Sequence, residues 1–261
     1  MHIILTIILG YSFINIFETI YYLNYEETYL GTNLIWSWAL HISCVLFLIA
    51  YFIFRKYNQN KYINIANETI EEDEINPGEF YYQLPIVTLM EKMPIKVLGQ
   101  NNAAFELYFN STLHRTFFML GLFSAPPGLK LSSNENTIIL KSKKWLRYEY
   151  TVYVNGDYHG EFNAKRLVKE RGVKNYIHFD YHYNNCVYNL TNDYFDMTTY
   201  IKDDQDTLLF GERTYFNLLS KDEKTGRRGE KHKIKMDHKQ NQSFQEVLLA
   251  LYITALNIRN H

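Results

Sequence analysis

Residues 243–258, S-F-Q-E-V-L-L-A-L-Y-I-T-A-L-N-I, narrow the folds open to this chain more than any other stretch. Val247, Leu248, Leu249, Leu251, Tyr252, Ile253, Leu256 and Ile258 leave no polar stripe at helical spacing. A helix with no face for water must be wrapped in protein or placed in lipid. At 1.5 Å per residue it reaches roughly 22 Å, short of the roughly 30 Å hydrocarbon slab. Ser243 with Glu246 reads as a capping box, and Asn257, Arg259, Asn260 and His261 make a polar end. The expectation is a central helix, 244–258, enclosed in a protein core.

The N-terminus has a different texture. Residues 34–54 hold no Asp, Glu, Lys or Arg, begin with Trp36 and Trp38, and stop at Arg55 and Lys56. Residues 3–23 are apolar apart from interruptions such as Asn15 and Glu18, without the basic start or small-x-small site of a signal peptide. Two spans, 3–23 and 34–54, are expected, making residues 1–56 a transmembrane hairpin. Glu26 and Glu27 lie between the spans, whereas Arg55, Lys56 and Lys61 follow the second. The positive-inside rule then leaves the link outside and the C-terminal domain in the cytoplasm of a multi-pass cell-membrane protein. Glu18 and His41 are ionisable groups near membrane depth, a pattern that can mark transport. Two helices alone line no pathway, so Glu18 is expected to snorkel outward and His41 to sit neutral in the helix pair.

Residues 57–100 read as a polar linker around the acidic run Glu71, Glu72, Asp73 and Glu74, with no clean period over 80–100. Residues 103–123 read as a leading helix, with Phe105, Tyr108 or Phe109, Leu113, Phe117 and Leu120 on one face. Beyond Gly128 short alternating segments begin: 129–131, 137–140, 147–154, 158–162, 173–183, 187–190, 194–201, 208–218 and 231–236. Asn155-Gly156 is the strongest hairpin signal, and a short helix over 164–170 closes at Gly172. Nine antiparallel strands must close or stack to hide their edges. The expected fold class is a mainly β, α+β domain over 101–261, an antiparallel barrel wrapped around the C-terminal hydrophobic helix, behind two transmembrane helices.

Several motifs carry a resemblance. Y-T-V-Y-V-N-G-D-Y-H-G-E-F over 150–162, F-G-E-R-T-Y-F-N-L over 210–218, T-G-R-R-G-E-K-H over 225–232 and L-L-A-L-Y over 248–252 resemble tubby C-terminal-like domains. That fold is shared with LURP-one-related proteins and phospholipid scramblases, and the likeness is to small bacterial membrane-anchored versions. It covers roughly 129–258 and implies a twelve-stranded barrel around a central hydrophobic helix. In several members it also implies phosphoinositide or phospholipid binding. Heavy use of Asn, Lys, Ile, Tyr (23) and Phe (17) fits AT-rich coding, as in a low-GC bacterium or phage.

The formal net charge of −1 supplies no global field for nucleic acid. Two local basic clusters remain: Lys141, Lys143, Lys144 and Arg147 around Trp145, and Arg227, Arg228, Lys231, Lys233 and Lys235. Each cation near an anionic membrane surface gains about 1 kcal/mol, so these residues are the expected phospholipid head-group site. The plain alternative is a pair of solvated strand faces. His178, Asp180 and His182 fall on one face of a strand and form a weak divalent-metal candidate. The plain reading there is that Phe179, Tyr181 and Tyr183 face the core and the polar three face water. Cys44 and Cys186 make no metal-binding or disulfide spacing, and no catalytic set or cofactor motif is expected. The function expected is a non-enzymatic, membrane-anchored module contacting anionic phospholipid at the inner leaflet. An unidentified membrane or cytoplasmic protein partner, in immunity or assembly, is the alternative, and a metal-dependent hydrolase the second one.

Overall fold

The structure is a computed structural model that describes residues 2–31, 33–66, 75–85, 94–99, 103–120, 126–144, 147–165, 175–193, 197–204, 206–214, 229–237 and 240–259. Two helices come first, α1 (His2–Tyr25) and α2 (Leu34–Ala66), packed on each other. Twelve strands and two further helices follow. The nine expected strands are all present, as β4 (Gly128–Ser132), β5 (Thr137–Lys144), β6 (Arg147–Val154), β7 (Asp157–Ala164), β8 (Asn175–Tyr183), β9 (Cys186–Asp193), β10 (Thr198–Lys202), β11 (Thr207–Thr214) and β12 (Gly229–Met236).

Three strands precede Gly128, where no strand was expected: β1 (Glu79–Pro85), β2 (Ile95–Val97) and β3 (Ala103–Tyr108). The supposed linker 57–100 is therefore divided. Its start extends α2, its end belongs to the sheet, and the acidic run 71–74 lies outside the described residues. The leading helix 103–123 is likewise replaced by β3 and then a short helix, α3 (Thr112–Leu120), begun by Ser111, whose Oγ accepts from His114 N at 3.1 Å. The reason is a double period. Phe105, Leu113 and Phe117 satisfy helical spacing, but Ala103, Phe105 and Leu107 also alternate, and burial of those three against the core decides the outcome. The expected short helix over 164–170 lies outside the described residues beyond Lys165, and β7 takes Ala164.

The sheet order is β1-β12-β11-β10-β9-β8-β7-β6-β5-β4-β3-β2, antiparallel throughout. Tyr81 and Leu98 exchange backbone hydrogen bonds of 2.8 and 2.7 Å, bringing β1 onto the end of β2. The sheet thus nearly closes into a barrel, and closure is what removes edge strands. Its turns follow local chemistry. Asn155 (φ 53°) and Gly156 (φ 96°), like Asn184 (φ 49°) and Asn185 (φ 63°), hold the left-handed conformations that a two-residue hairpin turn requires.

Helix α4 (Gln242–Arg259) fills the barrel: every side chain from Gln245 to Asn257 is buried. The expected capping box does not form. Asn241 caps the helix instead, its Oδ1 accepting from Phe244 N at 2.8 Å. Glu246 turns to the β4–β5 connection, accepting from Ser133 Oγ and Asn136 Nδ2, each at 3.0 Å. A carboxylate one turn into the helix thereby anchors it to the wall. On the opposite wall Gly211 lets the helix approach, since a Cβ there would stand 2.3 Å from the Tyr252 ring.

The expected pair of spans becomes one candidate among the described residues, Leu34–Asn58, with a mean hydropathy of 2.0 and none of it buried. Residues 3–23 are helical within α1, where Asn15 is buried and hydrogen-bonded to Ser37 of α2. Glu18 does not snorkel either. It is buried, and its Oε1 accepts from Leu30 N at 2.9 Å, tying the connection to the helix.

Candidate functional site

Antiparallel order gives the barrel two rims. At the proximal rim stand Glu79 of β1, Met236 of β12 and the start of α4. At the distal rim stand Pro85, Gly229, the β5–β6 connection and the ends of β7 and β11. Lys143, Lys144 and Arg147 lie at the distal rim, and Lys141 lies further down the outer face of β5. Lys231 is also near the distal rim, on β12. Arg227 and Arg228 lie outside the described residues. Lys143, Lys144, Arg147 and Lys231 therefore share one end of the barrel, on different walls because β5 and β12 are far apart in the ring, whereas Lys141 lies further down β5 and Lys235 reaches the proximal rim beside Glu79.

Acidic neighbours share this charge. Lys143 pairs with Glu161, Lys144 with Glu149 at 2.8 Å, and Arg147 with Glu149 at 3.5 Å. The hydrogen bond from Lys144 holds the Glu149 carboxyl below its ordinary value, and that from Lys143 does the same for Glu161. On β12, Lys233 and Lys235 both reach Glu79, at 3.6 and 3.4 Å. Such exposed pairs contribute little to stability and leave the lysines able to exchange partners.

His178, Asp180 and His182 point outward as the alternation requires, with Phe179 and Tyr181 buried behind them. Asp180 is taken by Lys165 at 3.0 Å, and among the described residues no group of three or more His, Cys, Asp or Glu is placed to hold a metal ion. The metal candidate is not assembled.

Sequence reasoning missed a polar cluster inside the barrel near the distal rim. His232 is fully buried, stacked on Tyr82 with centroids 4.3 Å apart at 6°. Its Nδ1 is 3.1 Å from the Tyr252 hydroxyl on α4, and its Nε2 is 3.3 Å from Glu230. Arg213, also buried, faces the same interior and donates to Asn192 Oδ1 at 3.3 Å, while Asn192 donates to Thr199 Oγ1 at 2.8 Å. Burial lowers the His232 pKa, Glu230 opposes that shift, and the Arg213 charge adds to it, so the imidazole is neutral at neutral pH. A signal was available: in G-E-K-H-K-I-K-M the residues in phase with Ile234 and Met236 are Glu230 and His232. Enclosed as it is, the cluster orients Tyr252, and with it the helix, within the sheet.

The helix pair carries a second polar row. Ser37 Oγ donates to Asn15 Oδ1 at 2.5 Å and lies 2.8 Å from the Tyr11 hydroxyl. Trp38 Nε1 donates to Thr19 Oγ1 at 3.0 Å, and Ser12 Oγ lies 3.2 Å from His41 Nε2. Facing away from this seam are Phe13, Phe17, Leu23, Ile35, Phe47 and Phe54, all more than half exposed.

The class these features define is a nearly closed twelve-stranded antiparallel barrel filled by its own C-terminal helix, preceded by an apolar helix of membrane-spanning length. No family model, curated protein or solved structure matches the chain.

Proposed function

We propose that the protein is a membrane-anchored, non-enzymatic module of the tubby C-terminal-like type whose barrel contacts anionic phospholipid head groups at the inner leaflet. The membrane half of this reading is supported by the inverted polarity of α1 and α2. Hydrogen-bonding side chains are inside the pair and large apolar ones outside, which suits lipid and not water. Both helices then cross as a hairpin, with residues 26–33 outside and the barrel in the cytoplasm beside Arg55, Lys56 and Lys61.

The observation that carries the binding half is that the barrel interior is already occupied by α4, so partners meet its outside. On that outside, Lys143, Lys144, Arg147 and Lys231 share one rim. Charge-assisted hydrogen bonds from such residues suit phosphate oxygens. The test is titration of the full-length protein in an uncharged detergent with short-chain phosphatidylserine, phosphatidylinositol phosphate and phosphatidylcholine. Saturable binding of the anionic lipids only, weakened at least tenfold by Lys143→Glu, Lys144→Glu and Arg227→Glu together, is expected. Equal response to all three lipids would refute the reading.

One observation favours a second reading, docking of an acidic protein. The basic rim is the distal one, at the other end of the barrel from Glu79, where the chain from α2 arrives. Crosslinking from a photoreactive group at position 144 in native membranes separates the two, giving lipid adducts in the first case and a single protein adduct in the second.

A further inference from the structure

At the proximal rim a pocket of about 330 Å³ opens between the start of β7 and the β8–β9 turn. It is lined by the rings of Tyr158, His159, His182 and Tyr183, the amides Asn184 and Asn185 and the Cys186 thiol, and among the described residues no Lys, Arg, Asp or Glu lines it. The floor is rigid. His159 lies flat on Tyr183, with centroids 3.9 Å apart at 7°, and its Nδ1 is 2.5 Å from the Tyr181 hydroxyl. Burial pushes the Tyr181 phenol far above its usual value and the His159 imidazole below its own. Tyr181 therefore keeps its proton, and the neutral His159 brings no positive charge to the site. Tyr158 stands at the mouth, 64% exposed.

Four Asp side chains and one Lys, Lys202 at the end of β10, lie in the surroundings. Asp157 adjoins Tyr158 at the head of β7, and Asp203, Asp204 and Asp206 occupy the turn after β10, which pairs with β9. Burial and then Cys186 raise the Tyr188 phenol at this corner, and the charge of Asp203 adds a smaller part. The pocket thus combines electron-rich ring faces, a negative periphery and no fixed cation.

We propose that this pocket binds an organic cation of the quaternary-ammonium type, seated on the ring faces of Tyr158 and Tyr183. Such a cation has no N–H to donate, so it needs ring faces and a favourable field, not a carboxylate at contact distance. Among the described residues His159, His182 and Cys186 are not placed together to hold a metal ion, and an anion finds no Lys or Arg in the lining. Free choline and a phosphatidylcholine head group carry the same trimethylammonium chemistry. The site is at the opposite rim from Lys143, Lys144, Arg147 and Lys231 and does not depend on the anionic-lipid reading.

The test is ligand-observed NMR with full-length protein in a maltoside detergent, using choline and its uncharged isostere 3,3-dimethyl-1-butanol. Saturable choline binding, at least fivefold tighter than the isostere, is expected. Tyr158→Ala weakens it about fivefold and Tyr158→Phe leaves it within about twofold, since the ring face and not the hydroxyl makes the contact. Equal affinity for the two probes, or choline binding unaffected by Tyr158→Ala, overturns the proposal. A second arm compares dihexanoyl-phosphatidylcholine with dihexanoyl-phosphatidylglycerol. Binding of the former alone, displaced by choline, assigns the cation to a lipid head group. Choline binding that the lipid does not displace assigns it to a free solute. No saturable binding of choline or of dihexanoyl-phosphatidylcholine overturns the proposal as well.

Discussion

The barrel and the helix pair solve opposite solvent problems with the same residue types. In the barrel, Leu249, Leu251 and Ile253 are fully buried, while Lys141, Lys233 and Lys235 face outward. In the pair, Asn15 is buried at 1% exposure and Phe13 stands out at 75%. Apolar surface is expelled only from water, so a fold that displays it and hides hydrogen-bonding groups is suited to lipid. Burial alone therefore says nothing about which region is the core until the medium around it is named.

The sharpest way to break this contrast is to place a charge in each region. Leu249→Asp puts an unpaired carboxylate on the barrel axis and is expected to cost several kcal/mol, lost as protease resistance of the barrel. Phe47→Asp, on the outside of α2, should leave that resistance intact and instead weaken retention in carbonate-washed membranes. If both variants behave alike, the two regions do not differ as stated.

Next in size is the interior histidine. His232→Ala leaves the Tyr252 hydroxyl and Glu230 without their shared neighbour and is expected to destabilise the barrel by about 2–3 kcal/mol, read from thermal unfolding. The same residue predicts a pH dependence. Its folded pKa lies below its unfolded one, so the unfolded chain binds the extra proton first. Stability is complete above about pH 6.5 and declines as the pH falls from there towards the folded pKa. His159 is shifted the same way, so the melting temperature of His232→Gln should fall less steeply with pH than that of the parent, but not become flat.

Smaller effects belong to the seam and the rim. Asn15→Leu removes the interhelical bonds to Ser37 and should loosen the pair by about 0.6 kcal/mol, measured as reduced disulfide trapping between cysteines placed on facing positions of α1 and α2. Lys144→Ala, at an exposed ion pair, should shift barrel stability by less than about 1 kcal/mol. A larger shift would mean that the rim is held as a rigid network and not as a mobile charged surface.

Much of the fold was legible because its signals are local. The Asn155-Gly156 and Asn184-Asn185 turns need left-handed backbone, strands β4–β12 alternate, and residues 247–256 have no polar stripe, so turns, strands and central helix follow from short windows. Three strands were not legible. In β1, Phe80, Tyr82 and Leu84 do alternate, but Pro85 and Pro94 break the stretch from 80 to 99, which leaves no clean period over its length. In β3 the same aromatics fit two periods. The site shows the same division. The basic residues were visible as clusters, but which of them share a rim depends on strand order, and so does the meeting of His232 with Tyr82 from β1 and Tyr252 from α4.

The sequence by itself determined that a greasy C-terminal helix must be enclosed, that an apolar span precedes it, and that short strands do the enclosing. Those conclusions rest on periodicity and composition, which a chain carries before it folds. Only the tertiary structure decided which strands complete the ring, that Asn241 and not Ser243 caps the helix, and that Glu246 serves the wall. These depend on contacts between residues far apart in sequence, where the entropy of closing long loops is offset by burial that no local window contains.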